Sequence, residues 1–235
     1  MKRVLVITRK EIRELLKNKG TLIFGLGYAL FFSILAALGI KKTSEAITAE
    51  VILNTALFYL PLVIGILIVY TSTGQIFFRE KQEKIIETLL CAPISLRRLW
   101  LGKVLGAAAP SYLMSILSAI LIILLSNIFL GSSVVPSVII IPHLLIAVPL
   151  FIAAVAGLIG FVYLLLGMRE IRIISIIILM AILGALFGGL KMIGSGFAVS
   201  WLLEGILLIT SLLLVAFTTY LTKYLSKEKI VTTIS

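Results

Sequence analysis

Cysteine and histidine are almost missing from this chain, and charge is scarce. One cysteine, Cys91, and one histidine, His143, occur in 235 residues. A single cysteine rules out an internal disulfide. No metal-ligand spacing surrounds His143, and a lone histidine in an apolar helix reads as a hydrogen-bonded packing residue. Charged residues make up 13% of the sequence, about half the share of a soluble domain. The phosphate loop G-x-x-x-x-G-K-[ST] does not occur: Gly102-Lys103 is followed by Val104 and lacks the upstream glycine. A cleavable signal peptide is not expected either, because the run before Gly20 is broken by charges and the run after it is long enough to span.

What fills the chain is apolar. Hydrophobic residues make up 61% of it, and they lie in long runs, so a bilayer and not an aqueous core is the solvent they call for. Six runs reach the roughly 20 residues a spanning helix needs: about Gly20–Ile40, Val51–Phe77, Val104–Leu130, Ser137–Gly167, Ile173–Leu190 and Trp201–Thr222. Pro61, Pro110, Pro142 and Pro149 fall inside them and are expected to kink them. The fold class is therefore all-α, a polytopic protein with six membrane spans over residues 20–222.

The net charge of +11 is better explained by orientation than by nucleic acid. With the N-terminus cytoplasmic, 18 of the 21 basic residues fall in inner segments, leaving Lys41, Lys42 and Lys191 outside. The positive-inside rule then puts both termini, including the tail 223–235, in the cytoplasm of a plasma-membrane protein. Trp100 and Trp201 fall near the two interfaces, where aromatic anchors belong.

The opening segment, residues 1–19, is of another kind. Leu5, Ile12, Leu15 and Leu16 fall roughly on one helical face with basic residues on the others, and Thr8 and Glu11 have capping-box spacing. This reads as a helix lying in the inner interface, held by apolar burial and anionic lipid, rather than as a solvated basic tail.

Phe77 to Lys103, between the second and third runs, holds nine of the 31 charged residues. Arg79–Glu83 and Glu80–Lys84 are opposite-charge pairs at i,i+4, and Lys84–Glu87 is one at i,i+3; each favours helix. Pro93 disfavours helix at Ala92, and Ser95 is placed to cap a second helix running through Arg97, Arg98 and Lys103 into span three. The pattern is helix, break, helix. Composition leaves two readings of it: a docking surface for a cytoplasmic partner, or a surface helix that anchors spans two and three.

The whole arrangement resembles the membrane subunit of ABC-2 type ATP-binding cassette transporters. The resemblance rests on "RKEIRELLKNKG" as an amphipathic elbow helix, on "REKQEKIIETLLCAPISLRRLWLGK" as a coupling segment over 78–103, and on the six apolar runs. It covers nearly the whole chain, and the coupling segment is its most specific part. It implies a permease with no catalytic residue, metal or cofactor of its own. ATP and Mg would sit on a separate ABC ATPase subunit, and the permease would pair with a second copy or a sister chain. It also implies that Glu80, Glu83, Glu87 and Thr88 touch the ATPase, with Pro93 and Ser95 forming the turn, and that the transporter is an exporter.

Inside the spans, Ser111, Ser115 and Ser118 share a face of span three and are candidates to line a pathway, although small polar residues also serve close helix packing. Gly184 and Gly188 have small-xxx-small spacing. The stretch 188–203, apolar and rich in glycine, resembles the re-entrant segment of related exporters; a short outer loop is the plainer reading. Glu204, a turn inside span six, is a candidate gate, either wet near the interface or paired with Lys191. Two other functions fit a polytopic chain, an intramembrane enzyme and a non-transporting scaffold or sensor. The scarcity of catalytic side chains counts against the enzyme.

Overall fold

A computed structural model describes residues 2–41, 46–85, 95–131, 133–194, 198–225 and 230. Among them there is no strand. Six helices are long and apolar enough to cross a membrane: Lys19–Ile40, Ala49–Gln82, Leu96–Leu130, Ile140–Leu165, Met168–Gly189 and Trp201–Tyr224, called spans one to six here. An N-terminal helix, Lys2–Lys17, precedes them. The chain is an all-α, six-span membrane protein.

Length separates the spans. Span three has 35 residues, about 52 Å of helix at ~1.5 Å per residue, whereas the hydrocarbon core is about 30 Å thick. Span two, with 34 residues, has a similar excess. Both overhang at the same end of the bundle, and the overhang carries Arg79, Glu80 and Lys81 on span two and Arg97, Arg98 and Lys103 on span three. The N-terminal helix packs against this overhang.

Span two is the centre of the bundle, with 67% of its apolar window buried; spans five and six are peripheral, with 17% each. Span two packs against spans one, three, four and five, and span six packs on span four. Two apolar cores result. One, at the N-terminal-helix end, includes Leu15, Phe77, Trp100, Ile159 and Leu164. The other, toward the opposite end, includes Ile40, Leu53, Leu60, Ile122 and Ile140.

Two spans contain a π turn. In span two it covers Gly74–Phe78, closed by the Arg79 N–H on the Gly74 carbonyl; in span four it covers His143–Ala147, closed by Val148 on His143. The second lies between Pro142 and Pro149. Neither proline has an N–H to give, and a wider turn between them re-aims the side chains of residues 143 to 147, as such insertions do at many functional sites.

Several expectations change here. Trp100 is not an interfacial anchor: it is buried in the core, with its ring against Gly157, because span three begins outside the apolar slab and Trp100 meets span four. Trp201 is exposed on the bundle surface, as an anchor would be. The N-terminal helix buries Leu15 but leaves Leu5 and Leu16 exposed, so its buried stripe runs through Thr8, Glu11 and Leu15. Thr8 caps no helix start; the helix is already formed at Lys2. The Glu80–Lys84 pair does not form either. The helix ends at Gln82, and Lys84 takes a left-handed backbone, φ 57°, which turns the chain out of the helical line. Ser95 does stand at the N-cap of span three, but through its carbonyl, with no side-chain cap bond. Residues 188–194 continue the helix of span five. Gly184 and Gly188 face open space, not a neighbouring helix of this chain. Cys91 and the expected break at Pro93 lie outside the described residues.

Candidate functional site

The overhang encloses a buried charge cluster. Lys103, on the second turn of span three, places its Nζ 3.0 Å from Glu11 Oε1 and 2.6 Å from Glu80 Oε2. The Lys103 side chain is 2% exposed and that of Glu11 3%. One ammonium thus holds two carboxylates, one from the N-terminal helix and one from the end of span two. Its remaining face lies toward the Phe77 ring, 5.8 Å from the centroid. Lys10 stands at the rim, 3.5 Å from Glu14, 3.9 Å from Glu11 and 4.0 Å from Glu80. Burial opposes charge on Lys10, but Glu11, Glu14 and Glu80 outweigh it and hold its ammonium above the usual lysine value. Half-exposed Lys10 brings the formal charges of Glu11, Glu80, Lys103 and itself into balance, which is what makes burial of the other three tolerable.

Backbone geometry lets these groups meet. Gly102 and Gly106 face the N-terminal helix, and a Cβ on Gly106 would fall 2.5 Å from the Cβ of Glu11. Only glycine allows the two helices so close. The Thr8 hydroxyl uses the same proximity, lying 3.1 Å from the Gly102 carbonyl and 3.0 Å from that of Val4. At the hinge after the N-terminal helix, Asn18 and Thr21 both donate to Gln75 Oε1, at 3.2 and 2.8 Å. Lys81, one residue from Glu80, is buried too; its ammonium donates to the carbonyls of Tyr163, Leu164 and Leu166, where the helix of span four ends. Three spans and the N-terminal helix are thereby tied at one level. A cavity of about 470 Å³ opens beside the cluster, lined by Glu14, Asn18, Gln75, Arg79 and Glu83 among others.

The residues expected to touch a partner divide. Glu80 is turned inward and bound to Lys103, so its carboxylate belongs to the permanent packing of this end rather than to an outer surface. Lys103 is likewise interior. Glu83 is exposed and paired with Arg79 at 2.8 Å. Ser95 is exposed. Glu87, Thr88 and Pro93 lie outside the described residues.

The pathway candidates divide as well. Ser111, Ser115 and Ser118 are fully buried. Their hydroxyls donate to the carbonyls of Ala107 at 2.8 Å, Pro61 at 2.6 Å and Ser115 at 2.7 Å. Ser33 of span one donates to the Ser118 carbonyl at 3.2 Å. The Ser115 hydroxyl thus ties span three to span two and Ser33 ties span one to span three, while the Ser111 and Ser118 hydroxyls bond back to their own helix.

Glu204 is different. It is 2% exposed, and its partner is His143, not Lys191: Nδ1 lies 2.8 Å from Oε2. The Phe58 ring of span two stacks on the imidazole, centroids 4.3 Å apart. Spans four and six both begin at the end of the bundle away from the N-terminal helix, so this pair is buried opposite the lysine cluster. His143 is hydrogen-bonded and packed, as a lone histidine in an apolar helix is expected to be, and the partner not expected for it is Glu204. A signal was available, since each is the lone polar group early in an apolar even-numbered span. No family model and no curated protein matches the chain.

Proposed function

We propose that this chain is the permease subunit of an ATP-driven exporter of the ABC-2 type. The observation that supports it most is the mechanical continuity of the overhang. Residues 86–94, the middle of the expected coupling segment, are flanked by Glu80–Lys81 on one side and Lys103 on the other. Both flanks are locked by buried charge to each other, to the N-terminal helix and to the end of span four. A push on that segment by an ATPase would be delivered to spans two, three and four together, since a packed, ion-paired joint does not deform gradually. The ATPase would dock on exposed groups, with Glu83, Glu87 and Thr88 as the contacts and Pro93 and Ser95 as the turn. Glu80 would hold the joint from inside. ATP and Mg would be bound by the ATPase, and a second copy or a sister permease would complete the passage through the plasma membrane, with both termini cytoplasmic.

The test is co-expression with the ATP-binding cassette ATPase of the same source, followed by pull-down and ATP turnover in nanodiscs. The reading expects the ATPase to co-purify and its turnover to depend on the permease. Glu83→Lys with Glu87→Lys should weaken both while leaving insertion normal, because a reversed charge meets a fixed complementary surface. Normal co-purification and turnover in a folded double variant would remove these residues from the contact. Failure of any ATPase to co-purify would remove the permease reading itself.

A further inference from the structure

The His143–Glu204 pair has more hydrogen-bonding capacity than the fold uses. His143 is fully buried and Glu204 is 2% exposed. Beyond their mutual contact, Oε1 of Glu204 has no hydrogen-bond partner within the chain, and Nε2 of His143 makes no hydrogen bond of good geometry, although the Phe58 backbone lies close to the imidazole. A packing histidine is fully satisfied; a half-satisfied buried pair is costly. Ionisable groups at membrane depth mark proton relays and ion paths more often than they serve packing. The π turn that presents His143 is the kind of local irregularity found at such sites.

Proton counting gives the pair its property. Holding one proton between them, as imidazolium and carboxylate or as imidazole and carboxylic acid, the two groups are neutral together. A second proton leaves a buried charge of +1 and removes the charge-assisted bond. No neighbouring element supplies a balancing charge. On span two, Glu50 is exposed and the Tyr59 hydroxyl donates to the Ala185 carbonyl of span five. On span three, the Tyr112 hydroxyl donates to the Leu144 carbonyl at 3.1 Å. On span five, Lys191 is exposed. Among the described residues, span six carries besides Glu204 only Lys223, at the opposite end of the helix over the Tyr220 ring, and His143 is the one titratable group in the first half of span four. The excess charge is relieved by separating the pair and admitting water. Span six is the element free to move, since little of its apolar window is buried and it rests on span four.

We propose that His143 and Glu204 form an intramembrane proton-binding site, and that uptake of a second proton releases the start of span six from span four. This inference does not depend on the permease reading, and its test needs no ATPase. The full chain, with Cys91→Ser and spin labels on cysteines at the exposed positions Val138 and Leu202, is placed in nanodiscs and taken from about pH 8 to about pH 4, the range that brackets an ordinary imidazole. His143 is the only histidine, so its 15N signals are unambiguous. Proton uptake is read from those signals or from a carboxylic C=O infrared band assigned to Glu204. Glu204→Gln removes that band; Glu204→Asp, which shifts it, serves if the first variant fails to assemble. The expected result is one proton step at the pair, a widening of the label separation with the same midpoint, and a midpoint moved at least about tenfold in proton concentration in the variant. The proposal is overturned if neither group takes up a proton over the range. It is equally overturned if uptake leaves the separation unchanged, or if the variant widens with the wild-type midpoint.

Discussion

The two ends of the bundle bury charge in opposite ways. At the N-terminal-helix end, Lys103 joins Glu11 and Glu80 with Lys10 beside them, and the groups compensate one another. At the other end, His143 and Glu204 meet alone, each with one polar atom that makes no hydrogen bond of good geometry. The first arrangement is a joint: it neutralises charge and links distant segments. The second is poised, because one proton more or fewer leaves it charged with no counter-ion. The contrast shows that burial of charge by itself does not distinguish scaffold from switch; completeness of the pairing does.

The contrast can be broken by substitution. Lys103→Met is expected to have the largest effect, because it leaves Glu11 and Glu80 facing each other in the interior. The loss is about 3–5 kcal/mol, read by denaturant titration in detergent, together with release of the N-terminal helix seen as thiol labelling at a cysteine replacing Leu15. A loss under ~1 kcal/mol would mean that water already shares the cluster. Glu204→Gln keeps a hydrogen-bonding isostere and should cost less, about 1.5–3 kcal/mol, the worth of a charge-assisted bond. If it costs more than Lys103→Met, the ranking of joint above switch is wrong.

Gly106→Val sharpens the first end without touching charge. The added side chain collides with Glu11 and should cost about 1–3 kcal/mol by overpacking, while Gly205→Val, which meets open space, should not. Between the ends, Ser118→Ala should cost only about 0.6 kcal/mol, the typical worth of an intramembrane side-chain bond, read by denaturant titration in detergent; a loss above ~2 kcal/mol would mean that the hydroxyl does more than bond back to its own helix. The smallest effect belongs to Lys10. Its folded value is raised above 10.5, so its contribution is present below that value and fades as the pH rises beyond it. Lys10→Gln should remove a slight alkaline step from the stability profile, and an identical profile would place Lys10 outside the cluster.

Much of this protein is written locally. Hydropathy places the first and last spans closely, Gly20–Ile40 expected against Lys19–Ile40 found and Trp201–Thr222 against Trp201–Tyr224, because the bilayer tests each segment separately for apolar length; it misses the charged overhangs, with span two running on to Gln82 instead of Phe77 and span three starting at Leu96 instead of Val104. The N-terminal helix is legible from its apolar face of Leu5, Ile12, Leu15 and Leu16, of which Leu15 is buried while Leu5 and Leu16 are exposed, and the buried stripe continues through Glu11 and Thr8 instead. Apolar residues were weighted toward lipid, and a flat glycine surface on span three was not foreseen. The Arg79–Glu83 pair was legible because it is local. The helix end at Lys84 was not, since it follows from Glu80 and Lys81 being drawn into the bundle.

The amino-acid sequence by itself determined the number of spans, where the first and last of them end, and the crowding of positive charge beside them all, since each of these follows from short stretches meeting water or lipid. Only the tertiary structure decided which polar groups meet. Glu11 finds Lys103 across 92 residues, Lys103 finds Glu80 across 23 and His143 finds Glu204 across 61. Such pairings depend on which helix faces come together and at what depth. Burial keeps water from competing for these groups, so once the helices pack, each polar side chain is left with whatever partner the neighbouring helix places at its level.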